Sequence, residues 1–177
     1  MLPLRYLAGY PEDLQQQVRE VIEQGQLATM LRARYPGSHE VRSDGALYDY
    51  TLALKNRFLR KAPVPDRVLF DSRLQLAENA LGINGKLPRI QGGKIKCKRE
   101  IRVASVFKEA PPEFLRMIVV HELAHLKERQ HDRAFYQLCS HMEPAYHQFE
   151  FDLRLYLTQI ELTGPSCPAL SLAMTKD

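Results

Sequence analysis

One stretch limits this chain more than any other: Met117-Ile118-Val119-Val120-His121-Glu122-Leu123-Ala124-His125-Leu126, an apolar run carrying two histidines four residues apart with a glutamate between them. Four residues advance an α-helix by about 400°, so the two imidazoles lie about 40° apart on one face and can grip one ion. Glu122 lies about 100° round from His121, outside the ligand shell yet near enough to take a proton from water that the ion activates. Phe114, Leu115, Ile118, Val119, Leu123 and Leu126 make this a central, buried helix, and Pro111-Pro112 suit its start, where a missing amide hydrogen is harmless. Burying two imidazoles and a carboxylate in so apolar an element is unfavourable unless a ligand compensates their desolvation. The chemistry therefore calls for a metal ion, zinc or another divalent transition metal.

A catalytic zinc site takes three protein ligands and keeps one position open. His131, six residues after His125, is the leading third ligand, at the spacing of the HExxHxxGxxH pattern. Glu128 stands where that pattern has its turn-making glycine, which puts the usual turn in doubt. A continuous helix would carry His131 about 9 Å along the axis from His125, so the helix must end near Arg129, with Asp132 capping the next one. Glu143 and Glu150, 18 and 25 residues after His125, are the rivals for the third position. His141 and His147 fall on amphipathic segments and read as surface histidines with a lesser claim on a substrate cleft; His39 reads as surface.

At 177 residues the chain is long enough for one domain with its own core, expected over 1–162, with 163–177 a loose tail. Cys97, Cys139 and Cys167 are odd in number and far apart, which argues against a disulfide framework or a cysteine zinc knuckle and suits a reducing cytoplasm. The first part, 1–62, reads as helical: two short helices between Pro11 and Arg34 with a break at Gly25, then a third starting near Asp44, a plausible N-cap, with Leu47, Thr51, Leu54 and Phe58 on one face. Over 63–162 the chain turns to sheet and then to the metal helices. Arg67–Phe70 and Leu74–Leu76 look like short strands, 81–86 like a turn region, and Lys94–Cys97 with Glu100–Phe107 like a hairpin or meander. Helices bearing Phe135, Leu138 and Cys139, and Phe149, Leu153, Tyr156, Leu157 and Ile160, follow the metal helix.

The net charge of +4 is mild, but Lys86, Arg89, Lys94, Lys96, Lys98, Arg99 and Arg102 crowd a segment whose only acid is Glu100. Segment 86–102 could attract the phosphates of a nucleotide or nucleic acid, although most charge runs are solvated faces. The N-terminus lacks an uninterrupted apolar core, and no window approaches the roughly 20 apolar residues that span a bilayer, so the expectation is a cytoplasmic protein without a membrane partner.

The run from Met117 to His131, followed by Ala134-Phe135-Tyr136, resembles the YgjP-like family of zincin metallopeptidases, as do Tyr6–Pro11, Gln91–Lys94, Glu100–Ala104 and His141–Pro144. The likeness reaches nearly to Leu162. It implies an α+β, zincin-like domain: a helical N-terminal part, a small, mainly antiparallel sheet, a central metal-binding helix and C-terminal helices. It also implies that His121, His125 and His131 bind zinc and that Glu122 is the catalytic base. Many relatives carry Trp-Gly-Ser before the metal helix and Phe-Trp after the third histidine; this chain has no Trp, which points to a different cleft.

The leading expectation is a metallopeptidase, with the strand Glu100–Phe107 presenting backbone groups to an extended peptide. The alternative is a nucleoside-triphosphate pyrophosphatase acting on UTP, an activity also associated with the family, although the chain lacks a glycine-rich Walker loop. A third reading is a non-enzymatic, zinc-stabilised module that binds nucleic acid or protein. The oligomeric state stays open.

Overall fold

Helices occupy the segments with 3.6-residue apolar spacing, and a small sheet forms where β-branched and charged residues alternate. The computed structural model describes residues 4–74, 82–91 and 94–163, with 82–98 described as backbone. The expected tail from 164 onward lies outside the described residues. Contacts divide the chain into two compact units, one drawn from its two ends up to Ser38 and from His147, the other from His39–Tyr146.

In the first unit a short 3-10 turn, Arg5–Leu7, precedes α1 (Glu12–Glu23) and α2 (Leu27–Arg34). Gly25 separates the helices at φ 66°, a left-handed conformation that glycine adopts without steric penalty. The Gly25 amide donates to the Ile22 carbonyl at 2.9 Å and the Gln26 amide to the Val21 carbonyl at 3.0 Å, closing α1 with a Schellman pair. The long C-terminal helix, α6 (Tyr146–Thr163), supplies buried Leu153 and Leu157 to a core with Leu7, Leu27 and Leu31. Its buried Asp152 accepts hydrogen bonds from the Tyr35 hydroxyl at 2.5 Å and the Arg34 guanidinium at 2.8 Å.

The second unit begins with α3 (Asp44–Phe58), which buries Leu47, Thr51 and Leu54. Its cap is Ser43, whose hydroxyl accepts from the Ala46 amide at 3.2 Å, rather than the expected Asp44. Asp44 instead accepts from the Phe70 amide at 2.9 Å, tying the helix start to β1 (Arg67–Asp71). Two longer strands, β2 (Gly82–Gln91) and β3 (Lys94–Ala104), form an antiparallel hairpin, and β1 pairs parallel with β3, giving the order β1-β3-β2. The fold is α+β as expected, with one parallel pairing in the small sheet.

The sheet region departs from the sequence-based expectations in several places. Residues 82–86 are strand, not turn: Gly82, Asn84 and Gly85 carry turn chemistry locally, but pairing with β3 holds them extended. Lys94–Ala104 is one strand, and the segment after it forms a 3-10 turn, Ser105–Lys108, instead of extending to Phe107. Glu100–Val103 is paired with β1 on one side and β2 on the other, so this stretch, expected to present backbone to a peptide, has no free edge. Of the second short strand expected, Leu74 is not in a strand and Gln75-Leu76 lie outside the described residues.

The central helix, α4 (Pro112–Ala124), follows directly, with Pro111 as N-cap and Pro112 at its first position. Phe114, Leu115, Met117, Ile118, Val119, Val120, Leu123 and Ala124 are all buried, so nearly every face of α4 is covered. The helix ends five residues before Arg129, with His125 as its C-cap. Tighter bonds from the Leu126 amide to Leu123 and the Lys127 amide to Ala124, both 3.0 Å, close the last turn. α5 (Arg133–Met142) then starts at Asp132, whose carboxylate accepts from the Phe135 amide at 3.0 Å.

Candidate metal centre

The early end of α4 is what turns the chain back toward the helix and brings a third imidazole to the first two. His131 Nε2 lies 3.0 Å from His125 Nε2 and 3.2 Å from His121 Nε2. No other cluster of three such ligands occurs among the described residues. Phe135, fully buried on α5, sets its ring 4.9, 4.6 and 4.7 Å from the rings of His121, His125 and His131, forming an apolar floor that limits their rotation.

Hydrogen bonds at Nδ1 of His121 and His125 leave the Nε2 atoms of both rings available to a metal. The Glu128 carbonyl lies 2.9 Å from His125 Nδ1 and can only accept, so Nδ1 carries the proton and Nε2 keeps its lone pair. His121 Nδ1 lies 2.7 Å from the hydroxyl of Tyr146, which is fully buried and accepts from Nδ1–H whenever Nε2 serves as ligand. Burial, together with the nearby His131, holds His125 below the ordinary histidine range, against the opposing pull of the Glu128 carbonyl. The neutral form so favoured is the one that binds metal.

The arrangement fits a divalent transition metal. Nitrogens at about 2.0–2.1 Å from a tetrahedral zinc stand about 3.3 Å apart, close to the separations His131 makes with its two partners. One Nε2–H on His131 can satisfy only one of those partners at a time, whereas a cation satisfies all three lone pairs. Neutral imidazoles suit zinc and its neighbours better than magnesium. The C-terminal end of α4, where the helix dipole is negative, adds a favourable field for a cation.

Glu122, one residue after His121, is completely buried, and burial pushes its carboxyl up to about 8. A dication beside it acts in the opposite sense and favours the carboxylate. The other acids and histidines go elsewhere. Glu143 receives a hydrogen bond from Arg116 Nε, and Arg116 also donates to the Met142 carbonyl at 2.9 Å, a clamp between α4 and the end of α5. Glu150 pairs with Arg154 at 3.4 Å, and exposed His147 lies 4.0 Å from it. His141 is exposed, with its ring edge-on to Phe58 at 5.9 Å. His39 is half-buried rather than a free surface residue: Nε2 donates to the Phe107 carbonyl at 3.0 Å and Nδ1 accepts from the Val41 amide at 3.1 Å.

Tyr146 and the Arg116–Glu143 clamp had no local sequence signal, since Tyr146 stands 21 residues beyond His125 at the start of an amphipathic helix. Tyr146→Phe is expected to weaken metal binding by about 10- to 100-fold, measured by competition with a chelating dye, because the His121 ring loses its partner.

Three histidines grouped beside a buried carboxylate on an α+β frame, in a chain with the relatives that follow, place it among the metal-dependent hydrolases. The chain belongs to the YgjP-like family. The model of the YgjP-like, metallopeptidase domain matches residues 83–156. An Escherichia coli (strain K12) protein named UTP pyrophosphatase is 57% identical over 162 residues, covering 92% of this chain and 97% of the relative. No solved structure matches the chain. No helix among the described residues is long and apolar enough to cross a membrane.

Proposed function

We propose that this chain hydrolyses a nucleoside triphosphate, UTP above all, to the monophosphate and pyrophosphate, with zinc or a similar divalent transition metal held by His121, His125 and His131. The observation that carries this reading is the histidine cluster in a chain 57% identical, over nearly its whole length, to a protein named for that activity. When bound, the cation supplies Lewis acidity that polarises water and a phosphoryl oxygen. Glu122 takes the proton of the attacking water; a new bond forms from the water oxygen to the α-phosphorus, and the bond from that phosphorus to the α–β bridging oxygen breaks, releasing pyrophosphate. Phe135 and the apolar body of α4 keep bulk water from the inner side of the site, which strengthens the pull of every charge there. The cytoplasm, where nucleoside triphosphates are made and used, is the matching location.

Peptide hydrolysis is the second reading, favoured by the HExxH arrangement and by the description of the matching family model. Against it, the backbone of Glu100–Val103 is already paired on both sides within the sheet. Incubating the metal-loaded protein with UTP and, separately, with a mixed peptide library distinguishes the two. Equal amounts of UMP and pyrophosphate, lost with a chelator and regained with zinc, are expected. Peptide cleavage without UMP would overturn the reading.

A further inference from the structure

Two arginines flank His131, one in the loop that carries it and one at the start of α5. Arg129 and Arg133 lie two residues to either side of His131, so each Cα is at most about 7 Å from that of His131 along the chain. Both are exposed, and neither is paired with an acid among the described residues. Asp132, which lies between them in sequence, is engaged as the cap of α5 through the Phe135 amide.

Helix physics accounts for Arg129 but not for Arg133. A cation just past the C-terminal end of α4 is favoured by the dipole there. Arg133 is the first residue of α5, where the dipole is positive and gives a cation no support of its own, and the carboxylate beside it, Asp132, is bonded to the Phe135 amide. The loop itself is held in place from the metal side, by the bond between His125 Nδ1 and the Glu128 carbonyl at 2.9 Å and by His131 within the cluster. Two exposed arginines thus flank His131 along a segment anchored to the histidine cluster, within side-chain reach of an extended polyanion that has one phosphoryl group at that cluster.

We propose that Arg129 and Arg133 are the substrate-positioning pair of this enzyme, gripping the β- and γ-phosphates of a nucleoside triphosphate whose α-phosphate lies at the His121, His125 and His131 site. The proposal rests on the pyrophosphatase reading, and it adds the residues that would select a triphosphate chain. Guanidinium forks match phosphate oxygens two at a time. On this account the pair stays with the leaving pyrophosphate, and the base of the nucleotide makes no contact with it.

The test compares wild type with Arg129→Gln, Arg133→Gln and the double variant, all loaded with zinc, and with Arg32→Gln on α2 as the exposed-cation control. KM for UTP is expected to rise about threefold to tenfold for each single change, and more for the double, with kcat changing less and metal content unchanged. Inorganic tripolyphosphate, whose binding needs no turnover, should lose affinity by the same factors, and the difference should shrink in high salt. If wild type releases pyrophosphate from UTP and the double variant keeps both KM and tripolyphosphate affinity, the positioning role is wrong while the pyrophosphatase reading stands. If wild type leaves UTP intact, that reading fails, and unchanged tripolyphosphate affinity in the variants then rejects the arginine pair independently.

Discussion

Glu122→Gln should leave the metal in place and lower turnover by about a thousandfold, within the range lost when a positioned general base is removed. The substitution keeps the shape of a side chain that is completely buried in α4, so packing against the surrounding apolar residues is preserved. It removes only the ability to hold a proton at the carboxylate. Parallel assays of metal stoichiometry and UMP formation check this; turnover within a few-fold of wild type would remove Glu122 from the mechanism. The same variant makes a prediction about stability in the metal-free protein. Burial raises the Glu122 carboxyl from an ordinary 4.5 to about 8, so between those values the unfolded chain is ionised where the folded one still holds its proton. The folded state therefore binds more protons than the unfolded state in that window, and wild type should lose stability as pH rises through it. Thermal melts of chelator-treated protein from pH 5 to pH 8 should show this fall in wild type and a shallower one in Glu122→Gln.

His131→Ala is expected to abolish stoichiometric metal binding and turnover together, although the fold should survive. The side chain is exposed and belongs to a loop, so its loss opens no core cavity. What is lost is a third nitrogen 3.0 and 3.2 Å from its partners, and two imidazoles alone hold zinc far more weakly than three. Elemental analysis after dialysis should find less than about a tenth of an equivalent of metal, with a far-ultraviolet circular dichroism spectrum like that of wild type. Full metal occupancy in this variant would return Glu143 or another acid to the ligand set, against their present partners.

The site was more legible in the sequence than the sheet, and the reason is physical. His121, Glu122 and His125 sit on one helix, so their relation follows from 3.6 residues per turn alone. His131 required only that the helix stop, as the axial rise of about 1.5 Å per residue demands; the helix ends earlier than expected because its last amides turn to tighter bonds at Leu123 and Ala124. β2 was hidden because Gly82, Asn84 and Gly85 favour turns locally, whereas their strand state depends on β3, up to 21 residues away in register. Tyr146 was hidden for the same reason: the hydroxyl meets His121 only through tertiary packing. Ser43 displaced Asp44 as the helix cap because Asp44 had a second donor, the Phe70 amide, that no local pattern could reveal.

Whether His121, His125 and His131 together hold the metal is tested most directly by X-ray absorption at the metal edge of the zinc-loaded protein. Three imidazole nitrogens at about 2.0–2.1 Å, with the outer-shell scattering of three histidine rings and no sulfur at about 2.3 Å, are the expected result. A shell dominated by sulfur or carboxylate oxygen, or one carrying fewer than three imidazoles, would contradict it.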